Sequence, residues 1–200
     1  QQDFKFEIAD SKKIARSLVA FSNTDGGRLL IGVKDNGKIA GVRSEEEFFM
    51  VEAAARLYSR PEISFQSREW TIDGRTVLEI IIPKSEQRPH YALNEKDKWL
   101  VYIRVKDQNL LANKVLLRVW KREKQTRGIT IQYTDAEKTL LSYLGEKPTI
   151  SLSAFSRIAG ISRNKAETIL VNFISIRLIS IVFTDKGVYY CLPEKKDEKR

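Results

Sequence analysis

The chain has 200 residues, 42% of them hydrophobic, with 35 Lys and Arg against 26 Asp and Glu for a formal charge of +9. That length can bury the core of one large or two small domains, and the positive balance suits a polyanion such as nucleic acid or an acidic membrane surface. A single cysteine, Cys191, excludes an internal disulfide framework, no His and Cys cluster stands ready for zinc, and no apolar run approaches the ~18 to 20 residues of a membrane span. A reducing cytoplasm is the expected compartment.

The chain opens on Gln1-Gln2-Asp3 inside a predicted strand and without an initiator Met, so residues upstream of it are expected. The alternating DFKFEI is that strand, and Ile14, Leu18 and Phe21 at helical spacing follow it. RLLIGV and KIAGV then read as strands joined at Asp35-Asn36-Gly37, and a helix is predicted over residues 45–58. SFQSREWTI and TVLEIIIP make a hairpin at Asp73-Gly74, and LVYIRV is the last strand. A helix over residues 113–124 hides Leu116, Val119 and Trp120 and sets Lys114, Arg118, Lys121 and Arg122 on the opposite face. The order is β-α-β-β-α-β-β-β-α, a mixed sheet with helices.

The charge-rich KREKQTRG at residues 121–128 reads as a linker, with the boundary near Thr126, giving domains 1–126 and 127–200. Both are basic: twenty-four basic against eighteen acidic side chains through Arg127, and eleven against eight beyond it. In the second domain Thr134-Asp135-Ala136-Glu137 is a capping box that opens a helix with Leu140, Leu141 and Leu144 facing inward. A short helix over 153–159 stops at Gly160, and Ser162 caps a third helix whose apolar face is Ala166, Ile169, Leu170 and Phe173. LISIVFT and VYYCL, joined by Asp185-Lys186-Gly187, make a hairpin. Three helices and a hairpin over about sixty residues is the pattern of a winged helix-turn-helix.

In such a domain the start of the second helix of the pair meets base edges. Here it offers Arg163, Asn164, Lys165 and Thr168, with Lys186 at the hairpin tip for phosphate. In the first domain the cationic face of residues 113–124 could track a phosphate backbone. Asn23-Thr24-Asp25-Gly26-Gly27 lies between a helix and a strand, where the glycines end the helix and turn the chain. Its polar side chains could equally line a groove, and the amides of its Gly-Gly turn could hold a phosphate. His90, the only histidine, and Trp70, Trp99 and Trp120 read as packing residues.

The run DFK, a helix, and then AFSNTDGGRLLIGVKDNGKIAGV at residues 20–42 resembles the Schlafen AlbA-type domain over about residues 3–120, and IIIPKSEQRPHY and VYIRV agree with it. The resemblance implies an α/β mixed-sheet domain in an α+β chain, followed by a winged helix as in many bacterial regulators of this type. It implies DNA binding in transcription regulation. The expected partner is nucleic acid, DNA ahead of RNA, with no membrane, and a homodimer is left open. An ATP-binding label goes with some members, but no GxxxxGK[ST] is present. The same domain in animal Schlafen proteins is similar to an endoribonuclease with three acidic residues, and two of those positions correspond to Asp3 and Asp35. No cofactor is expected, save a divalent metal under that nuclease alternative. A dimerisation or protein-docking module is the remaining alternative.

Overall fold

Residues 18–21, Leu-Val-Ala-Phe, have no exposed surface. A single amphipathic stripe cannot hide four consecutive residues of a helix, so this one must be covered on more than one side. The computed structural model describes residues 1–125, 128, 132–184 and 186–193. It divides into two units, Gln1–Ala112 and Asn113–Arg200.

In the first unit the elements run β1 (Gln2–Lys5), α1 (Ser11–Asn23), β2 (Gly27–Ile31), α2 (Glu46–Arg56), β3 (Ser59–Arg60), β4 (Gln66–Ile72) and β5 (Arg75–Ile82). They continue with β6 (Tyr91–Leu93), β7 (Trp99–Leu100), β8 (Tyr102–Val105) and β9 (Gln108–Leu111). The main sheet has the order β1-β2-β5-β4; β1 is parallel to β2 across α1, and the other pairs are antiparallel. Strand alternation gives the sheet two faces. Leu29, Ile31, Leu78, Ile80 and Ile82 point inward at 0–4% exposure and join α1 and α2 in one core. Burying each contributes roughly 1.5–3 kcal/mol. The other side of α1 meets β6, β8 and β9.

Two local differences from the sequence reading have backbone causes. KIAGV forms no strand beyond a bridge between Val33 and Ile39. Ala40 N and Gly41 N both donate to Gly32 O, at 2.8 and 2.9 Å, so the segment folds back onto the end of β2. Gly32 (φ +88°) and Gly41 touch there, and a Cβ on Gly32 would lie 2.7 Å from the Gly41 carbonyl carbon. The ladders β3-β6-β7 and β8-β9 are too short and irregular to carry a period-two signal, and only the LVYIRV part of them was anticipated. The Asp73-Gly74 hairpin is present, with both residues at positive φ.

The second unit begins with α3 (Lys114–Glu123), capped by Asn113, whose Oδ1 accepts from Leu116 N at 2.8 Å. Then come α4 (Asp135–Glu146), α5 (Leu152–Ile158), α6 (Arg163–Ser175) and a hairpin of β10 (Ser180–Thr184) and β11 (Gly187–Cys191). Ser162 caps α6 and Glu137 accepts from Thr134 N at 3.1 Å, as the sequence pattern requires, while Ser151 caps α5, which starts one residue before the expected 153. Leu140, Phe155, Leu170 and Phe173 form the core, which Val115 and Val119 of α3 join. The sequence reading placed α3 with the first region; its packing in the structure is against α6. Ile150 exchanges two backbone hydrogen bonds with Tyr190, adding a third short pairing to the hairpin. Burial pushes the Tyr190 phenol up to about 12, and Asn113 Nδ2 donates to it at 3.3 Å. Thr126, Arg127, residues 129–131, Asp185 and residues 194–200 lie outside the described residues. Among the described residues no helix is long and apolar enough to cross a membrane.

Glu47 closes the N-terminus of α2. Its carboxylate accepts from Arg43 N and Ser44 N, both at 3.1 Å, at 6% exposure. Burial acts to raise its pKa, but the backbone N–H groups of Arg43, Glu47 and Ser44 outweigh that and hold it below the usual carboxylate value. A depressed folded pKa gives stability that is complete above the unfolded value of about 4.3 and is lost as pH falls through the folded pKa. Glu47→Gln should therefore be less stable than the parent at neutral pH, and its urea midpoint should fall less between about pH 5.5 and about pH 3. Equal midpoints at both pH values would remove this role from Glu47.

Candidate nucleic-acid interface

Helix α6 starts where Gly160 and Ser162 turn the chain, and its first turn presents Arg163, Asn164 and Lys165 to solvent. Arg163 is 68% exposed. Thr168, also exposed, is already engaged: its hydroxyl donates to Asn164 O at 2.9 Å and accepts from Arg118 Nη2 at 2.9 Å. Lys186 is exposed on the hairpin.

The basic face of α3 behaves differently from a solvated stripe. Glu167 of α6 is 4% exposed, and Lys114 Nζ (3.1 Å), Arg118 Nη1 (3.4 Å) and Arg163 Nε (3.6 Å) converge on it. Arg122 Nη1 bonds Asn172 Oδ1, also on α6. A carboxylate taken out of water needs this compensation, so Lys114, Arg118 and Arg122 are drawn onto α6. Lys114 keeps 66% of its side chain exposed while paired, and Lys121 is exposed as well. Glu167 was missed as an anchor, although it directly follows Ala166 on the edge of the apolar arc, where a charge is commonly buried only when paired.

The residues 23–27 are built into the core of the first unit. Asn23 is 1% exposed; its Nδ2 donates to His90 O and Tyr102 O, both at 2.9 Å, and its Oδ1 accepts from His90 N at 2.8 Å. Thr24 Oγ1 donates to Ala20 O and accepts from Arg104 N. Asp25 is exposed and pairs with Lys84 at 2.9 Å. Gly26 N donates to Phe21 O, closing α1, and at φ +72° a Cβ there would lie 2.6 Å from Ile82 O. A Cβ on Gly27 would lie 2.4 Å from the Phe21 ring. Every member except Asp25 thus has a packing reason for its identity.

Asp3 faces inward from β1, 3.1 Å from Lys5 Nζ and 3.4 Å from Arg104 Nη2. Arg104, 3% exposed, also bonds Asn109 Oδ1 at 2.9 Å and lies 5.1 Å from the Phe21 ring centroid. Asp3 lines a charged cavity of about 710 Å³ with Arg16, Arg104 and Asp107, whereas Asp35 lines another with Phe4, Phe6 and Lys34. Among the described residues no group of three or more His, Cys, Asp and Glu side chains is placed to hold a metal ion. Asp3 and Asp35 thus open onto different cavities.

His90 is 3% exposed; its Nδ1 faces Pro61 O at 2.9 Å and its Nε2 faces Ser85 Oγ at 2.7 Å. A carbonyl only accepts, so Nδ1 carries the hydrogen, and the packing role read from the sequence holds. Trp120 is buried at 5%, and Trp99 lies 5.3 Å from Arg60. Trp99 on edge strand β7 stays 37% exposed, and Trp70 on edge strand β4 stays 49% exposed. Trp70 lines a cavity of about 530 Å³ on the outer face of the sheet.

A family model described as Schlafen, AlbA_2 matches residues 1–113. No curated protein matches. Among solved structures the chain is similar to the DIP2311 protein from Corynebacterium diphtheriae, at 17% identity and a TM-score of 0.46, over 70% of this chain and 34% of that one. It is also similar to the N-terminal domain of a RecG-related protein from Nitrosomonas europaea, at 19% identity and a TM-score of 0.36, over 56% of this chain and 84% of that one. The chain thus spans about a third of the length of the DIP2311 protein.

Asn23→Ala leaves two carbonyls and one N–H without their buried partner and should cost roughly 3 kcal/mol or more in urea unfolding. Asp25→Ala, which removes an exposed pair, should stay within about 1 kcal/mol of the parent. The reverse ranking would show that residues 23–27 are tuned for a ligand and not for packing.

Proposed function

As the chain belongs to the Schlafen AlbA_2 family, whose model matches residues 1–113, we propose that it is a nucleic-acid-binding protein that acts on DNA as a transcriptional regulator. In this reading residues 134–193 work as a winged helix, with α6 as the recognition helix and the β10–β11 hairpin as the wing. The observation that carries it is the exposed Arg163, Asn164 and Lys165 on the first turn of α6. Arg163 has the donor fork for guanine O6 and N7, Asn164 the amide for adenine N6 and N7, and Lys165 the charge for a phosphate. Lys186 adds a phosphate contact from the wing.

Helix α3 contributes mainly by position. Lys114, Arg118 and Arg122 hold α6 through Glu167, Thr168 and Asn172, and Lys121 supplies charge to the backbone of the nucleic acid. Helix-turn-helix proteins read paired half-sites as dimers, and a homodimer is the form proposed for binding.

Binding to mixed-sequence duplex DNA should fall steeply with salt, and Lys165→Ala should reduce the slope of log K against log salt by about 1. At a selected site Arg163→Ala or Asn164→Ala should cost about 1–3 kcal/mol and relax the choice of one base pair. Absence of duplex binding at about 50 mM salt, where counterion release most favours association, overturns the proposal.

A further inference from the structure

The two faces of the main sheet have opposite fates. Both helices of the first unit pack on the inner face, while the outer face carries a row in register across all four strands: Phe4, Leu30, Glu79 and Arg68. Trp70 stands next to that row, two residues along β4 from Arg68. Trp70 and Ile72, two residues apart on the same side of edge strand β4, are 49% and 42% exposed and together make an apolar stretch of the kind that marks an interaction site.

Glu79 organises this face. It is 5% exposed, it accepts from Trp70 Nε1 at 2.9 Å, and its other oxygen lies 3.6 Å from Arg28 Nη1. The indole N–H is thereby satisfied, so the ring surface that Trp70 shows to solvent is apolar and fixed in direction. Arg28 keeps 63% of its side chain exposed, and Arg68 stands directly opposite Glu79 on the neighbouring strand. One carboxylate among two guanidiniums leaves the patch with positive charge.

We propose that this outer face binds single-stranded nucleic acid, with a base stacked on Trp70 and flanking phosphates held by Arg28 and Arg68. The inference rests on the nucleic-acid-binding reading above but assigns a separate site on the first unit and a separate form of nucleic acid. Planar stacking surface alternating with guanidinium is what a strand with unpaired bases requires, and a duplex would hide those bases. The cavity of about 530 Å³ is of the size that holds a nucleotide-sized ligand. A second copy of the chain fits less well. Two such faces brought together would oppose Arg28 and Arg68 to arginines, with each Glu79 already engaged.

The test uses the full chain, fluorescein-labelled 15-mers of deoxythymidine and of uridine, and the duplex, all followed by anisotropy. Trp70→Ala should weaken single-strand binding about tenfold or more, and Trp70→Phe should stay within about threefold. Arg68→Ala should reduce the salt slope for the 15-mers by about 0.7. None of the three should change duplex binding. Should Trp70→Ala lose its native circular dichroism, Trp70→Phe and Arg68→Ala decide the matter alone. Single-strand affinity untouched by Trp70→Ala and Arg68→Ala, or duplex binding with no single-strand binding at all, overturns this site and leaves the proposed function standing. Binding of neither form overturns both. A parent dimer by light scattering that Trp70→Ala converts to monomer, with no change in oligonucleotide affinity, assigns the face to a second copy and overturns the inference.

Discussion

The carboxamide of Asn23 holds three buried main-chain groups, and the first unit is arranged around it. It ties the end of α1 to the loop before β6 and to β8, two segments that come more than sixty residues later. Thr24 extends the connection to the backbone of Arg104, and the Arg104 side chain carries it on to Asn109 and to Asp3 of β1. Asn109 returns to α1 through Ser17 at 3.0 Å. Such a network in a low-dielectric interior is strong when complete and expensive when broken. That is the physical reason the segment around residues 20–27 stands out in the sequence. It reports how α1 is locked between the sheet and the β8–β9 ladder.

Much of the local structure could be read from the chain because its signals are local. Thr134, Ser162 and Gly160 punctuate the helices of the second unit, and Asp73-Gly74 turns the hairpin of the first. What could not be read is choice of partner. The amphipathicity of α3 said that Leu116, Val119 and Trp120 would be covered, but not that Val115 would be buried where Leu116 is only half-buried, nor that α6 and its core would receive Val115 and Val119. Whether Glu167 is solvated or buried depends on a helix fifty residues away, so no window of sequence holds that information. The outer face of the sheet escaped for a related reason. The pattern of β4 shows that it alternates, yet only the strand order, with β4 at the edge and no helix of the unit on that side, leaves Trp70 in water.

Net charge is also redistributed by folding. The +9 of the sequence is not a uniform basic coat. Three cations converge on Glu167, Arg104 is turned inward to Asp3, and Lys84 is taken by Asp25. Arg163, one of those three, still keeps 68% of its side chain exposed beside exposed Lys165, and on the outer face of the sheet Arg28 keeps 63% exposed while 3.6 Å from Glu79. Affinity for phosphate should follow those places and not the total.

The outer face has a further property that comes from the route of the chain. β1, α1 and β2 are consecutive and can associate with little loop closure, whereas β5 enters the sheet beside β2 only after α2, β3 and β4 have been added. Glu79 arrives with β5, and with it the carboxylate that Trp70 and Arg28 share. No peptide spanning β1 to β2 can contain the face. Occupancy and folding are therefore one linked equilibrium: whatever rests on this surface raises the melting point of the whole first unit by mass action, and nothing short of the complete sheet can compete for it.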